Sequence, residues 1–334
     1  MPFLNVFLKT FGFLFGITFF IILLNFFLNF NVKNNEPFNL TKGNVDSKNI
    51  VAILNLNGPI LNNFNTPFQN NIIEYINPKK INKYLEKLSD IKPSILIIKI
   101  NSPGGTVSAT STLEKYLKDF KNKNDIKMYF YTDEVLASGG YWIATTSDQI
   151  IANYGAIIGS IGASGPSWYY YNKPKSISSG FFGSKIETEN GIEFYDQNAG
   201  TSKDLYNPFR KPNIKELKHL QNIVNEIYED FLIKVSENRK IEINILKEEI
   251  GALIYTSKQA ETKFLIDDVL YFDELINKIV KDNKFKDFKI IENSIESGLF
   301  GKYIAFFNEK NNQKLCNKLK TNFAVVMPVF LENC

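Results

Sequence analysis

The sequence predicts an α/β domain with a largely parallel sheet, held behind a single apolar helix long enough to span a bilayer. Three observations predict it. Short apolar, β-branched runs alternate with amphipathic helical stretches, the pattern of strands buried on both faces and joined by helices. Between Thr10 and Val32 no charged residue occurs. The composition, 44% hydrophobic and 22% charged over 334 residues, is that of a folded globular chain. It excludes a disordered, collagen-like or multi-span protein, and the length suits one large domain or two modest ones.

The first element is the apolar helix. Residues 1–10 read as a short tail and 11–31 as the anchor. Phe11 to Phe30 is FGFLFGITFFIILLNFFLNF, and twenty residues at about 1.5 Å each cover about 30 Å, the hydrocarbon thickness of a bilayer. The run is apolar on all sides, unlike a helix packed on a soluble core. A cleaved signal peptide would need a small-x-small site, and no Ala precedes Ala52. Lys9 on one flank and Lys33, Lys42 and Lys48 on the other are too evenly matched for the positive-inside rule to set orientation.

Residues 32–48 are polar, contain Pro37 and read as a linker. The folded domain spans 49–281. Its first strand is IVAILNLN from Ile50, followed by a helix through INKYLEKLSDI, which Pro93 closes. SILIIKI (94–100) is a buried strand, NSPGG a turn, and Thr106 to Phe120 a helix. IKMYFY (126–131) is the next strand, ASGGYWIAT opens a helix, and QIIA (149–152) is a short strand leading to IIGSIG. Tyr154 to Tyr206 is rich in Gly, Ser, Asn and Tyr without clear period, as expected of a functional insert. Ile214 to Glu237 is a long amphipathic helix, with shorter helices up to Lys281. Residues 282–334 form an extension without an assigned structure.

Several chemistries are excluded by counting. A net charge of +4, carried by 37 Lys and 2 Arg, does not describe a nucleic-acid surface, which favours the Arg fork. Two Cys, Cys316 and Cys334, make neither a disulfide framework nor a four-Cys zinc site, and whether they pair is open. The single His219 rules out a metal centre built on two His and lies among charged neighbours on the long helix. No cofactor is expected. GxSxG, GxGxxG and the P-loop are absent.

Two glycine turns remain, both after buried strands: Asn101-Ser102-Pro103-Gly104-Gly105 and Ala137-Ser138-Gly139-Gly140. Ligands of α/β folds bind at the carboxyl ends of strands. Ser138 stands where a strand passes into a helix, so unpaired N–H groups there can hold a developing negative charge. With histidine set aside, a base for Ser138 would be Lys, Asp or Glu, and Ser-Lys is a known variant of triad chemistry. A lysine base must be neutral, which requires burial to bring its pKa from about 10.4 to roughly 7–8. The residues alone do not choose among the lysines.

Four segments in this order make the choice: INSPGGTVSATSTL, ASGGYWIATTSDQIIANYGAIIGSIG, TSKDLYNPFR and IYTSKQAETKFLIDDV. Over Ile50 to Lys281 the chain resembles the signal peptide peptidases of the SppA type, peptidase family S49. The resemblance implies a ClpP/crotonase-like spiral of ββα units and a Ser-Lys serine peptidase anchored by its N-terminal helix. It implies Ser138 as nucleophile, Lys203 of Ser202-Lys203-Asp204 as base, and Ser160 of GSIG as the residue orienting that lysine. Gly104, Gly105 and Gly139 match the oxyanion-hole region. The segment between Ser160 and Lys203 is longer than the family's, which leaves Lys185 and Lys173 as alternative bases. The family also implies apolar peptide substrates such as remnant signal peptides, a homo-oligomeric ring and a catalytic domain outside the cytoplasm, on the periplasmic side. The aromatic run Trp168 to Tyr171 with Phe181 and Phe182 would line a substrate groove, touch headgroups, or simply pack the insert. The other classes consistent with the fold are a catalytically silent membrane scaffold and a crotonase-type acyl-CoA enzyme.

Overall fold

A computed structural model of the protein describes residues 2–30, 37–63, 74–171, 178–180, 183–185, 197, 199–293 and 324–326. The expected anchor is a helix, α1 (Pro2–Phe30), of 29 residues. Its stretch Leu4–Ile21 is long and apolar enough to cross a membrane, and none of it is buried against the rest of the chain. The helix begins earlier than the charge-free run because Lys9 sits within it without interrupting its backbone pattern.

The strands and helices then follow as β1 (Phe38–Gly43), β2 (Ile50–Asn57), α2 (Pro78–Ile91), β3 (Ile95–Asn101), β4 (Gly104–Thr106), α3 (Val107–Asn124), β5 (Lys127–Thr132), β6 (Val135–Ala137), α4 (Gly139–Ala144), β7 (Gln149–Ala152) and β8 (Ile157–Gly159). The insert carries the hairpin β9 (Ser178–Gly180) and β10 (Gly183–Lys185). Beyond it come α5 (Ile214–Arg239), α6 (Ile243–Ile245) running into a π-helical turn at Leu246–Ile250, β11 (Ile254–Thr256), α7 (Ser257–Thr262), β12 (Asp268–Val269), α8 (Phe272–Asp282), β13 (Lys289–Asn293) and β14 (Ala324–Val326).

The spiral of ββα units is visible in this order: β3-β4-α3, then β5-β6-α4, then β7-β8. The first strand of each unit enters a central sheet ordered β1-β13-β2-β3-β5-β7-β12, in which every pair is parallel except β1 with β13. The second strands form a small sheet over one end: β6 lies parallel to β8, and β11 antiparallel to β8. Isolated bridges from Ser102 to Leu136 and from Ile60 to Gly105 extend that layer toward β4.

Alternation along each strand explains why the central strands read as unbroken apolar runs. Ala52, Leu54, Leu96, Ile98, Met128 and Phe130 point to one face, into a core with Leu85, Leu113, Leu117 and Phe231 from the helices. Val51, Ile53, Ile95, Ile97, Tyr129 and Tyr131 point to the other and meet Leu275, Ile276 and Ile279 of α8. Burial of each such aliphatic side chain is worth about 1.5–3 kcal/mol. Helix starts are set by local chemistry: Asn77 accepts from the Lys79 and Lys80 amides ahead of α2, with Pro78 at its first turn. Asn213 and Glu216 form a reciprocal capping box on α5.

Residues 38–43, inside the segment expected as linker, are β1, and residues 289–293, inside the unassigned extension, are β13. Only Phe38 of β1 is buried, so this edge strand has no apolar pattern of its own. It exists because β13, inserted between it and β2, offers a free edge.

Candidate active site

The site is assembled from the second strands of successive units. Ala137 of β6 stands opposite Gly159 of β8 in parallel register, so Ser138 and Ser160 each follow immediately beyond that pair. The Ser138 amide donates to the Gly159 carbonyl at 2.8 Å, and the Ser160 amide donates to the Leu253 carbonyl at 2.7 Å. Both serines are buried, at 0% and 3% exposure. Both hold a φ of 53°, a left-handed backbone that costs a non-glycine residue about 1–3 kcal/mol.

Ser138 has φ 53° and ψ −120°, the first central position of a II′ turn, where glycine is preferred. It precedes α4 but makes no side-chain cap bond. Its Oγ is buried and has no hydrogen-bond partner among the described residues. A buried hydroxyl without a partner costs about 1–3 kcal/mol. Two unfavourable features therefore coincide on one hydroxyl at the carboxyl end of a strand. Gly139 next to it opens α4, so its N–H has no acceptor within the helix.

The rest of the chain holds α4 firmly. Tyr141 donates to the Leu265 carbonyl at 2.8 Å, and Trp142 stacks on Phe231 with 4.9 Å between ring centres. Trp142 Nε1 also donates to buried Glu114, which accepts from Lys118 and Lys234 as well. Burial pushes the Glu114 carboxyl up, but the hydrogen bonds from Lys118, Trp142 and Lys234 outweigh it and hold the group ionised below the usual carboxylate range.

The NSPGG turn is tied to Ser138 by backbone. The Ser102 amide donates to the Val135 carbonyl at 2.8 Å, and the Ala137 amide donates to the Ser102 carbonyl at 3.1 Å. Gly104 donates its N–H to Ser102 Oγ at 3.2 Å. Gly104 and Thr106 bond the backbone of Ile60, so alternation turns the Gly105 amide to the opposite edge of β4, where β14 lies. Of the three oxyanion candidates, Gly139 adjoins Ser138 in the chain, while Gly104 and Gly105 stand one strand away, across Ser102.

Asn101 is a residue the sequence reading passed over. Its Oδ1 accepts from Thr132 Oγ1 at 3.0 Å and from the amides of Asp133 at 3.2 Å and Glu134 at 2.9 Å. These bonds fix the turn that starts β6 and so aim Ser138. The signal was an Asn at a strand end, where an amide side chain competes for turn backbone. Asn101→Ala is expected to lower stability by about 1–3 kcal/mol, because it leaves those amides unpaired. Denaturant unfolding checks the stability. A parallel loss of Ser138 reactivity toward a serine-directed probe checks the aiming.

Lys203 lies apart. It is exposed, on a run of turns where its amide donates to the Gly200 carbonyl at 3.2 Å. Its mount is well defined. Arg210 binds Asp204 through Nε and both Glu216 oxygens through its terminal nitrogens. Its guanidinium also stands 5.1 Å from the Trp168 ring centre. Trp168 meets Tyr206 at 5.3 Å and donates to the Asn207 carbonyl at 3.0 Å. Trp168 thus packs the insert, while Tyr169 and Tyr171 remain exposed. Lys185 ends the β10 strand. Lys173, Phe181, Phe182, Cys316 and Cys334 lie outside the described residues.

The hydrogen bonds from Arg210 hold Asp204 below the usual carboxylate range and bring Glu216 to about 2, against an ordinary 4.5. Because the folded value is the lower one, this clamp contributes stability above about pH 4.5 and loses it as pH falls toward 2. Acidification through that window is expected to loosen the 200–216 turns before the core unfolds. In a Trp142→Phe variant, whose remaining indole is Trp168, the emission should shift in that window. Glu216→Gln should remove the Glu216 part of the shift.

Among the described residues no cluster of His, Cys, Asp and Glu could hold a metal ion. The family model for peptidase family S49 matches residues 120–286. A protein of Methanocaldococcus jannaschii described as a protease is 30% identical over 219 residues, 65% of this chain and 65% of that protein. An Enterococcus faecium protein described as a signal peptide peptidase SppA is 30% identical over 197 residues, 59% of this chain and 53% of that one. Protease 4 of Haemophilus influenzae is 26% identical over 243 residues, 72% of this chain and 36% of its own length. The chain thus spans about a third to two thirds of the length of these relatives. A solved structure of a 1510-N membrane-bound stomatin-specific protease variant with a substrate peptide is 18% identical, with a TM-score of 0.44 over 78% of this chain and 98% of that one. The match covers β5 through α8, which includes Ser138, Ser160 and Lys203, and on it the chain belongs to peptidase family S49.

Proposed function

We propose that this chain is a membrane-anchored serine endopeptidase in which Ser138 is the nucleophile, Lys203 the base and Ser160 the residue that orients the lysine. The observation that carries the reading is the Ser138 hydroxyl: buried, unpartnered among the described residues and held in a strained backbone beside Ser160. Backbone strain clusters at active sites, and a catalytic role is one of the explanations of a buried polar group without a partner. Lys203 takes the Ser138 proton as Oγ attacks a peptide carbonyl. The Gly139 N–H, with the Gly104–Gly105 segment, holds the oxyanion. The protonated lysine then delivers its proton to the departing amine, and water releases the acyl group.

The substrates are apolar peptides such as remnant signal peptides, held in the same bilayer as α1, on its extracytoplasmic side. The protein works as a homo-oligomer. A lysine base needs burial, and Lys203 is exposed in the single chain while Ser138 is buried, which supports closure of the site by a second copy.

The exposed Lys203 is also the observation that favours the second reading, a catalytically silent membrane scaffold. Full-length protein in detergent micelles separates the two with a signal-peptide-like substrate. Wild type should hydrolyse it, and Ser138→Ala and Lys203→Ala should each be inactive while Lys185→Ala is active. Co-assembled Ser138→Ala and Lys203→Ala chains should regain part of the activity if the pair forms between copies. Loss with Lys185→Ala and not Lys203→Ala would move the base. An oligomeric wild type without hydrolysis would favour the scaffold.

A further inference from the structure

The C-terminal extension returns to the site. Ala324–Val326 forms β14, antiparallel to β4, with Ala324 opposite Thr106, Val325 opposite Gly105 and Val326 opposite Gly104. The other edge of β4 is already committed, because Ile60 donates to the Gly104 carbonyl at 2.9 Å and accepts from the Thr106 amide at 3.0 Å. Only the edge presenting the Gly105 N–H and C=O is left, and β14 occupies it. β14 also lies against α4, whose first residue follows Ser138 directly. The added strand belongs to the apolar run FAVVMPVFL, which Pro328 interrupts two residues further on.

We infer that the free edge of β4 is a strand-docking site beside Ser138, and that the chain's own Ala324–Val326 segment is its resident occupant, competing with apolar peptide substrates. Pairing by main-chain bonds reads extended shape rather than sequence, so an apolar substrate and an apolar tail are interchangeable there. The tail has the advantage of being tethered: it is part of the same molecule, and an intramolecular ligand acts at an effective concentration on the order of a millimolar. Displacing it is therefore part of substrate binding. The competition rests on the peptidase reading; the docking does not.

Amide hydrogen exchange on the full-length protein tests the docking. Wild type is expected to protect 324–326 at least tenfold over Val325→Pro, which removes the amide facing Gly105. Exchange of 324–326 in wild type at the rate of an unstructured chain overturns the inference. Peptide hydrolysis tests the competition: Val325→Pro should lower KM at least threefold with kcat nearly unchanged. A synthetic peptide of residues 321–331, added to that variant, should raise KM again. An unchanged KM, with protection present in wild type, would overturn the competition. Protection without any hydrolysis or Ser138 labelling in either protein would support the docking and defeat the peptidase reading.

Discussion

Ser138→Ala is expected to lower kcat for an apolar peptide by about 10⁴-fold or more, with KM changed little. It should also abolish labelling by a fluorophosphonate. The structural side of this prediction is unusual. The Ser138 hydroxyl is buried without a partner among the described residues, so removing it takes away a group that was unfavourable to bury. Alanine keeps the same φ of 53° and therefore the same strain. The thermal midpoint should stay equal to wild type or rise slightly, by an amount matching up to about 1 kcal/mol. A variant that loses activity together with several kcal/mol of stability would place Ser138 in the packing rather than the chemistry. Hydrolysis and calorimetry on the same preparation decide the matter.

Gly105→Ala is expected to be the most damaging single methyl group in the site. A Cβ on Gly105 would meet the Ile60 carbonyl oxygen at 2.0 Å and the Ile60 nitrogen at 2.6 Å. Both are backbone atoms, so no side chain can swing aside. β4 would have to part from Ile60, breaking the two bonds that hold it there. The expected cost exceeds about 3 kcal/mol, beyond ordinary overpacking. Urea unfolding measures it, and a cost under about 1 kcal/mol would show that β4 can shift freely. The strand that carries Gly105 also carries Gly104, so the oxyanion region should be lost with it.

Much of the central sheet was legible in the sequence, and the reason is physical. β2, β3 and β5 are buried on both faces, so their apolar runs are continuous and announce themselves. α5 was legible through its amphipathic spacing. β4 and β6 were not, because three-residue strands contain no period to read. β1 and β13 were hidden for a different reason: Phe38 pairs with Asn293 across about three quarters of the chain's length, and neither segment looks like a strand without the other.

The site divided in the same way. Ser138 stood out at its glycine turn between strand and helix before the resemblance named it, Ser160 was identified by the resemblance alone, and the parallel register of β6 and β8 places them side by side. Lys203 was identified by the same route, yet the single chain leaves it on an exposed turn. Asn101 escaped because its role depends on a turn formed more than thirty residues later, with bonds to Asp133 and Glu134.

The paired left-handed serines carry one more implication, for what a search through variants of this chain would find. Glycine at either position relieves the backbone penalty at that position and offers nothing to a substrate. A library selected for heat resistance alone should therefore drift toward glycine at both sites and end as a sturdier molecule without a nucleophile. Selection for turnover should hold both serines in place and find its stabilising changes elsewhere, in α8 or along the edge strands.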